Sequence, residues 1–181
     1  MKEIRIHGRG GQGAVTSGQL IAISAFFDGN YSQSFPMFGV ERSGAPVQAF
    51  ARISNSPINL RSQIYNPDIV IVLDASLLSS VNVIEGLKRG GFIIINTNKE
   101  KQKLNFPNYF NIHTIDATSI ALKIFNKPII NTTMLGAFAK ITGIISLDSL
   151  LKATDEILLR KGKKIAELNK KAIREAYKMS D

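Results

Sequence analysis

The chain has 181 residues, of which 44% are hydrophobic, and we expect one domain with a substantial core over residues 1–181. The absence of cysteine excludes disulfides, thiolate zinc sites and cysteine-ligated iron–sulfur clusters within the chain. More than half of the net charge of +9 lies in the segment 152–178, where Tyr177 is the one aromatic residue, so we expect a solvated basic face and no nucleic-acid partner. No apolar run approaches the length of a membrane span, and we expect a cytoplasmic protein that contacts no membrane.

The first predicted strand, Ile4–His7, leads through a glycine-rich segment into an apolar helix, Ala14–Phe27. A junction of this kind leaves the N–H groups of the first helical turn free, and a phosphate or carboxylate can approach glycine backbone closely because no Cβ intervenes. We therefore predict a site for an anion or for the backbone of a partner. The residues of this glycine loop are Gly8, Arg9, Gly10, Gly11, Gln12 and Gly13.

Two other interpretations of the glycine loop remain open, a purely structural tight turn and a site for NAD(P) or FAD. The glycines satisfy the dinucleotide spacing G-x-G-x-x-G. That fingerprint also requires an acid at the end of the second strand, whereas Asp28 precedes the predicted second strand, Tyr31–Phe35. A Walker-type phosphate loop is not favoured, because no lysine follows the glycines ahead of Thr16 and Ser17.

The loop between the second and third predicted strands is unusually apolar. Tyr31–Phe35 and Pro46–Ile53 both have strand patterns, and their connection is too short for a helical crossover, so an antiparallel component is expected. Exposed apolar loop residues indicate that a partner or ligand covers them; a loop folded back on its own core is the alternative. The residues expected to face a partner or an active site are Pro36, Met37, Phe38, Glu41, Arg42, Ser43 and Gly44.

The rest of the chain predicts a continuation of the same sheet and a helical final third. The predicted strands are Asp68–Asp74, Phe92–Asn96 and Phe110–Ile115, and the predicted helices are Ser76–Arg89, Asp116–Phe125, Asn131–Thr142, Leu147–Leu159 and Lys163–Met179. In the last helix we expect a buried stripe of Ile165, Leu168, Ala172 and Ala176. The fold class is α/β, a three-layer α/β/α domain with a mostly parallel mixed sheet and a helical C-terminal arm.

In such folds, ligands bind outside the carboxyl ends of parallel strands. The glycine loop, the loop 36–46 and the turn Leu73–Ser76 are expected to converge there, and Asp74 could cap the following helix or bind a ligand. No catalytic set or metal-ligand spacing is evident, and His7, at the end of a buried strand, is typical of a core histidine. The chain is therefore interpreted as part of an enzyme rather than a complete one.

Three motifs resemble the gamma subunit, or the corresponding domain, of the 2-oxoacid:ferredoxin oxidoreductases. They are Ile6–Gly13, Phe35–Val47 and Asn131–Ala137, within a resemblance that extends over residues 1–178. Residues 41–46, Glu-Arg-Ser-Gly-Ala-Pro, resemble the pyruvate and ketoisovalerate type more than the indolepyruvate and 2-oxoglutarate enzymes.

The resemblance implies a gamma subunit that supports thiamine-dependent oxidative decarboxylation of pyruvate to acetyl-CoA and CO2, with electrons passed to ferredoxin or flavodoxin. It implies that this chain binds no cofactor alone and is not active alone. Thiamine diphosphate, Mg and the iron–sulfur clusters would lie on partner subunits, the partners being alpha, beta and ferredoxin-like delta subunits. The glycine loop, together with Thr16 and Ser17, would contact either coenzyme A, which is a substrate of the enzyme, or another subunit. The alternatives are a gamma-type subunit for ketoisovalerate, 2-oxoglutarate or indolepyruvate, and a free-standing nucleotide-binding module.

Overall fold

The computed structural model describes residues 1–37 and 43–180, and in this part of the chain six strands form one mixed sheet in the order β2-β3-β1-β4-β5-β6. The strands are β1 Lys2–Arg9, β2 Tyr31–Pro36, β3 Pro46–Ser54, β4 Ile69–Val72, β5 Phe92–Asn96 and β6 Asn111–Ile115. The α-helices are α1 Ala14–Phe27, α2 Ala117–Phe125, α3 Asn131–Thr142, α4 Leu147–Leu158 and α5 Lys163–Met179. Among the described residues, no helix combines the length and the apolar character that crossing a bilayer requires.

The sheet has a parallel half and an antiparallel half that meet at β1. Strand β1 pairs in parallel with β4, and β4, β5 and β6 continue in parallel. On its other side β1 pairs antiparallel with β3, which pairs antiparallel with β2. The predicted antiparallel component is therefore confirmed, and so is the α/β fold class with its mixed sheet.

All five described α-helices pack in the core on one face of the sheet. Ile4 and Ile6 of β1 face this core together with Ala49, Ala51 and Ile53 of β3. Helix α3 is buried along most of its length between the sheet and α5. A Cβ added at Gly136 of α3 would collide with the carbonyl oxygen of Ile173, so the glycine allows the two helices to approach closely.

The buried face of α5 differs from the predicted stripe. Ala172 and Ala176 are buried as expected, but Ile165 is 43% exposed. The residues of α5 that are buried are Ala166, Asn169, Ala172, Ile173 and Ala176. Gly136 of α3 lies against Ile173 and Ala176, so the buried face of α5 is centred on these residues; Leu168 is half-buried and Ile165 lies at the edge.

The second face of the sheet is covered by irregular segments. The prediction of a helix over residues 76–89 is wrong. A five-residue 3₁₀ turn, Ala75–Ser79, is followed by turns. The guanidinium of Arg5 donates to the carbonyls of Val83 and Glu85, which takes up acceptors that a helix would use internally. Gly86 has φ of 67°, and a Cβ there would collide with the carbonyl oxygen of Tyr65. The apolar residues still reach the core, because Leu77, Val83 and Leu87 are buried against β4 and β5.

Candidate functional site

The glycine loop joins the end of β1 to the start of α1 at the carboxyl edge of the parallel strands. Its tight turn is held internally, since the Arg9 N–H donates to Oε1 of Gln12 at 2.8 Å and the Gln12 N–H donates to the Arg9 carbonyl at 2.9 Å. Gly11 and Gly13 have φ of 94° and 83°, values that favour glycine. No side chain of the described residues caps α1, so its N-terminal N–H groups are available to an anion.

The described end of the second loop lies directly beside the glycine loop. The Gly10 N–H donates to the Ala45 carbonyl at 2.9 Å, and the Gly44 N–H donates to the Gly10 carbonyl at 3.1 Å. Ser43 and Gly44 are exposed, and Pro36 ends β2, followed by Met37, which is 41% exposed. The remaining residues predicted for this contact, Phe38, Glu41 and Arg42, lie outside the described residues.

Asp74 connects the turn after β4 to the glycine loop. Its Oδ2 accepts from Nε of Arg9 at 3.1 Å and from Nε2 of Gln12 at 3.0 Å, and its Oδ1 accepts from the Ser76 N–H at 2.9 Å. Burial alone would raise the pKa of Asp74, but the hydrogen bonds from Ser76 and Gln12 and the charge of Arg9 outweigh it and hold this pKa below its usual value. The glycine loop, the turn after β4 and the described end of the second loop therefore converge as predicted, with Asp74 as a cap.

A cleft of 660 Å³ opens between the glycine loop and the carboxyl ends of β4 and β5. Gly11 and Gln12 form part of its wall, and Ile130, which precedes α3, forms another part. Within the described chain no side chain caps α3 either, so two uncapped helix N-termini adjoin one cleft. Their dipoles favour a negatively charged ligand, whereas the carboxylates of Asp74 and Asp116, which also line the cleft, oppose one.

The polar wall opposite the glycine loop was not singled out by the sequence analysis. Nδ2 of Asn96, the last residue of β5, donates to the Leu73 carbonyl at 2.9 Å and to Oγ1 of Thr118 at 3.0 Å. Asp116 caps α2 by accepting from the Ser119 N–H at 2.9 Å. A polar residue that ends an otherwise apolar strand, as Asn96 does, is a signal that could have indicated this wall.

The hydroxyls near the glycine loop and the buried histidine have different surroundings. Thr16 is partly exposed, whereas Ser17 is fully buried and donates to the Gly13 carbonyl at 3.2 Å.

His7 is buried and accepts from Nε of Arg5 at 3.1 Å, so it is a core histidine as predicted. Burial, and secondarily the charge of Arg5, lowers the pKa of His7 to about 3, so the imidazole is neutral at physiological pH.

The acid that a dinucleotide site needs is engaged elsewhere. Asp28 lies at the C-terminal end of α1, at the far end of this helix from the glycine loop. Its carboxylate accepts from the Ser146 N–H at 2.7 Å and from the Ser149 hydroxyl at 2.7 Å, and it thereby supports the start of α4. Within residues 1–37 and 43–180 there is also no group of three or more metal-ligating side chains. The dinucleotide interpretation of the glycine loop therefore lacks its acid, and the uncapped helix N-termini are the feature here that favours an anionic group.

Comparison with known proteins identifies the family. The family model described as pyruvate ferredoxin/flavodoxin oxidoreductase matches residues 3–179. The pyruvate synthase subunit PorC of Methanocaldococcus jannaschii is 56% identical, over 98% of this chain and 96% of that protein. The pyruvate/ketoisovalerate oxidoreductases common subunit gamma of Pyrococcus furiosus is 48% identical, over 100% of this chain and 98% of that protein.

A solved structure agrees with this result. The pyruvate oxidoreductase subunit PORC from Thermotoga maritima superimposes with a TM-score of 0.84 and 38% sequence identity, covering 98% of this chain and 95% of that one. Sequence and fold therefore agree along nearly the whole length. The chain belongs to the pyruvate ferredoxin/flavodoxin oxidoreductase family, as its three motifs predicted.

Proposed function

We propose that this chain is the gamma subunit of a multisubunit pyruvate:ferredoxin oxidoreductase. The observation that carries the proposal is the near full-length identity of 56% with a protein named as a pyruvate synthase subunit. In this role the chain supports the thiamine-dependent oxidative decarboxylation of pyruvate to acetyl-CoA and CO2, with electrons passed to ferredoxin or flavodoxin. It does so as one domain over residues 1–181, in the cytoplasm.

The proposed partners are alpha, beta and ferredoxin-like delta subunits of the same enzyme. Thiamine diphosphate, Mg and the iron–sulfur clusters are assigned to those partners, since this sequence contains no cysteine and offers no acid–base set. The chain itself contributes binding surface and shape. The second loop, which carries Met37, Ser43 and Gly44 at its described ends, is proposed to face a partner subunit.

The glycine loop is proposed to contact coenzyme A. Two uncapped helix N-termini beside one polar cleft offer N–H donors to phosphate groups, against the negative charge of Asp74 and Asp116, which also line this cleft. The glycines permit close approach of a ligand to the backbone. Thr16 is better placed than Ser17 to contribute a hydroxyl, because the Ser17 hydroxyl is buried and already donates within α1.

Activity should depend on assembly with this chain. When the native complex is captured through a tag on this chain, larger thiamine- and cluster-containing subunits should copurify, and pyruvate-dependent viologen reduction should be lost when the chain is omitted from reconstitution. A panel of pyruvate, ketoisovalerate, 2-oxoglutarate and indolepyruvate then ranks the substrates by kcat/KM. Recovery of the chain alone, with full activity in its absence, would contradict the proposal.

Substitution of Gly11 tests the coenzyme A contact. Gly11 has φ of +94°, and a Cβ there would meet no atom of the described residues within 4 Å. Gly11→Ala should therefore cost only about 1–2 kcal/mol of stability from its backbone conformation, yet place a methyl group in the path of the ligand. We expect the KM for coenzyme A to rise roughly tenfold while the KM for pyruvate stays within about twofold.

The matched control for Gly11→Ala is Gly29→Ala. Gly29 has φ of +82° and equally free surroundings among the described residues, but it lies at the other end of α1. The two variants should lose similar stability, and only Gly11→Ala should change the KM for coenzyme A. Equal KM values in both variants would show that the glycine loop does not meet coenzyme A.

A further inference from the structure

Asp74 lies in the turn after β4, outside both loops but in the wall of the cleft, and its side chain is bonded to the glycine loop. The carboxylate accepts from two glycine-loop side chains, Arg9 and Gln12, through the same oxygen, Oδ2. These residues are 65 and 62 positions away in sequence. The contact exists because parallel pairing places the end of β4 beside the end of β1.

The bonds made by Asp74 extend to the second loop. Arg9 keeps Nε on Asp74, donates Nη2 to the Ser76 hydroxyl at 2.8 Å, and donates Nη1 to the Gly44 carbonyl at 3.1 Å. Gln12 donates to Asp74 through Nε2 and accepts from the Arg9 N–H through Oε1, which closes the tight turn. A single carboxylate is thus bonded to two side chains of the glycine loop and is linked, through Arg9, to the described end of the second loop, beside the backbone bonds made by Gly10.

We propose that Asp74 is a positioning residue that holds the glycine loop and the Gly44 segment in one arrangement for their ligand, and this proposal rests on the proposed function of the glycine loop. Asp74 acts through Arg9 and Gln12. Without it, Arg9 loses its ionic partner and two donors are left facing each other in a partly buried position. The backbone bonds of Gly10 to Gly44 and Ala45 remain, but the Arg9 and Gln12 side chains are no longer fixed, and only a fraction of molecules is competent to bind.

Asp74→Asn is the informative variant, because it removes the bonds to the loop and spares the cap. The remaining Oδ1 still accepts from the Ser76 N–H, whereas an amide nitrogen in place of Oδ2 cannot accept from Arg9 or Gln12. Asp28→Asn is the matched control. Asp28 is also a partly buried carboxylate that accepts from a backbone N–H and supports a helix start, but its partners Ser146 and Ser149 belong to α4.

Both variants are to be measured in the reconstituted enzyme. We expect Asp74→Asn to raise the KM for coenzyme A roughly tenfold, the effect of losing about one charge-assisted hydrogen bond, with kcat within about twofold. Asp28→Asn should leave this KM within about twofold although its Tm falls comparably. If both variants shift KM in proportion to their loss of Tm, Asp74 is a structural cap only and the proposal is overturned.

Two further measurements keep the result decisive. If Asp74→Asn fails to assemble, Gln12→Met removes the Gln12 bond to Asp74 together with the Arg9 N–H bond to Oε1, and it leaves the cap intact; an unchanged KM in that variant overturns the proposal. If Gly11→Ala shows that the loop does not meet coenzyme A, amide hydrogen exchange of the holoenzyme still judges Asp74. Faster exchange at Gly10, Gln12 and Gly44 in Asp74→Asn, and not in Asp28→Asn, supports positioning; identical exchange overturns it.

Discussion

Replacing Arg52 by methionine is expected to lower the free energy of unfolding by about 3–5 kcal/mol, because it leaves a carboxylate and several acceptors without their buried donor. Arg52 is 1% exposed in β3. Its guanidinium donates to Oε1 of Glu3 at 2.9 Å, to Oε1 of Gln33 at 2.9 Å and to the Ser62 carbonyl at 2.9 Å. It thereby joins β1, β2 and the segment between β3 and β4. Urea unfolding of the purified chain measures the loss.

The control for Arg52 is Arg174→Met, which removes the same charge from an exposed position on α5. That change should alter stability by no more than about 0.5 kcal/mol. Hydrogen exchange should also become faster around Ser62 in Arg52→Met, because the carbonyl there loses its donor. A loss of less than about 1 kcal/mol for Arg52→Met would mean that the segment holds its position without this side chain.

Mild acid should destabilise the protein through His7. Burial and the charge of Arg5 lower the pKa of His7 to about 3, whereas the unfolded chain binds this proton near pH 6.5. The stability that the neutral imidazole contributes is therefore fully present above pH 6.5 and is lost as the pH falls toward 3. Between pH 7.5 and 4.5 the expected loss from this residue is about 2–3 kcal/mol.

His7→Gln should remove most of this pH dependence. The glutamine amide has an oxygen that can accept from Nε of Arg5 as the imidazole does, but it has no proton to bind in this range. Urea midpoints at pH 7.5, 6.0 and 5.0 should converge in the variant and separate in the wild type. This window lies above the range in which Asp28 and Asp74, whose pKa values are lowered, begin to protonate. Identical slopes in both proteins would assign the acid sensitivity to another group.

Local sequence signals were sufficient to predict those elements whose bounds and burial depend on residues close by in the chain. Helix α1 has the predicted bounds, because Gly13 in the left-handed region and the Asp28-Gly29 turn end it on either side. Strand β4 is buried on both faces, as a continuous apolar run indicates. The convergence of the three segments also followed from sequence, since it requires only that parallel strands place their carboxyl ends at one edge.

Contacts between distant residues decided what those signals could not. An apolar spacing that suits a helix over 76–89 was overridden when Arg5 bonded to the Val83 and Glu85 carbonyls. The bond between Arg9 and Asp74 had no counterpart in any motif, and neither did the place of Asn96 in the cleft. Periodicity indicates how a segment presents its apolar side, but it does not reveal which polar partner a neighbouring strand brings to it.

The amino-acid sequence by itself determined the family, the order of the main elements and the glycine loop with its missing cap. These features depend on short motifs and on the spacing of apolar residues. Only the tertiary structure decided which surface of α5 is buried, how residues 76–89 cover the sheet, and that Asp74 is bonded to Arg9 and Gln12. The physical reason is that these features depend on hydrogen bonds and packing between segments far apart in the chain, which acquire definite partners only once β1 lies between β3 and β4.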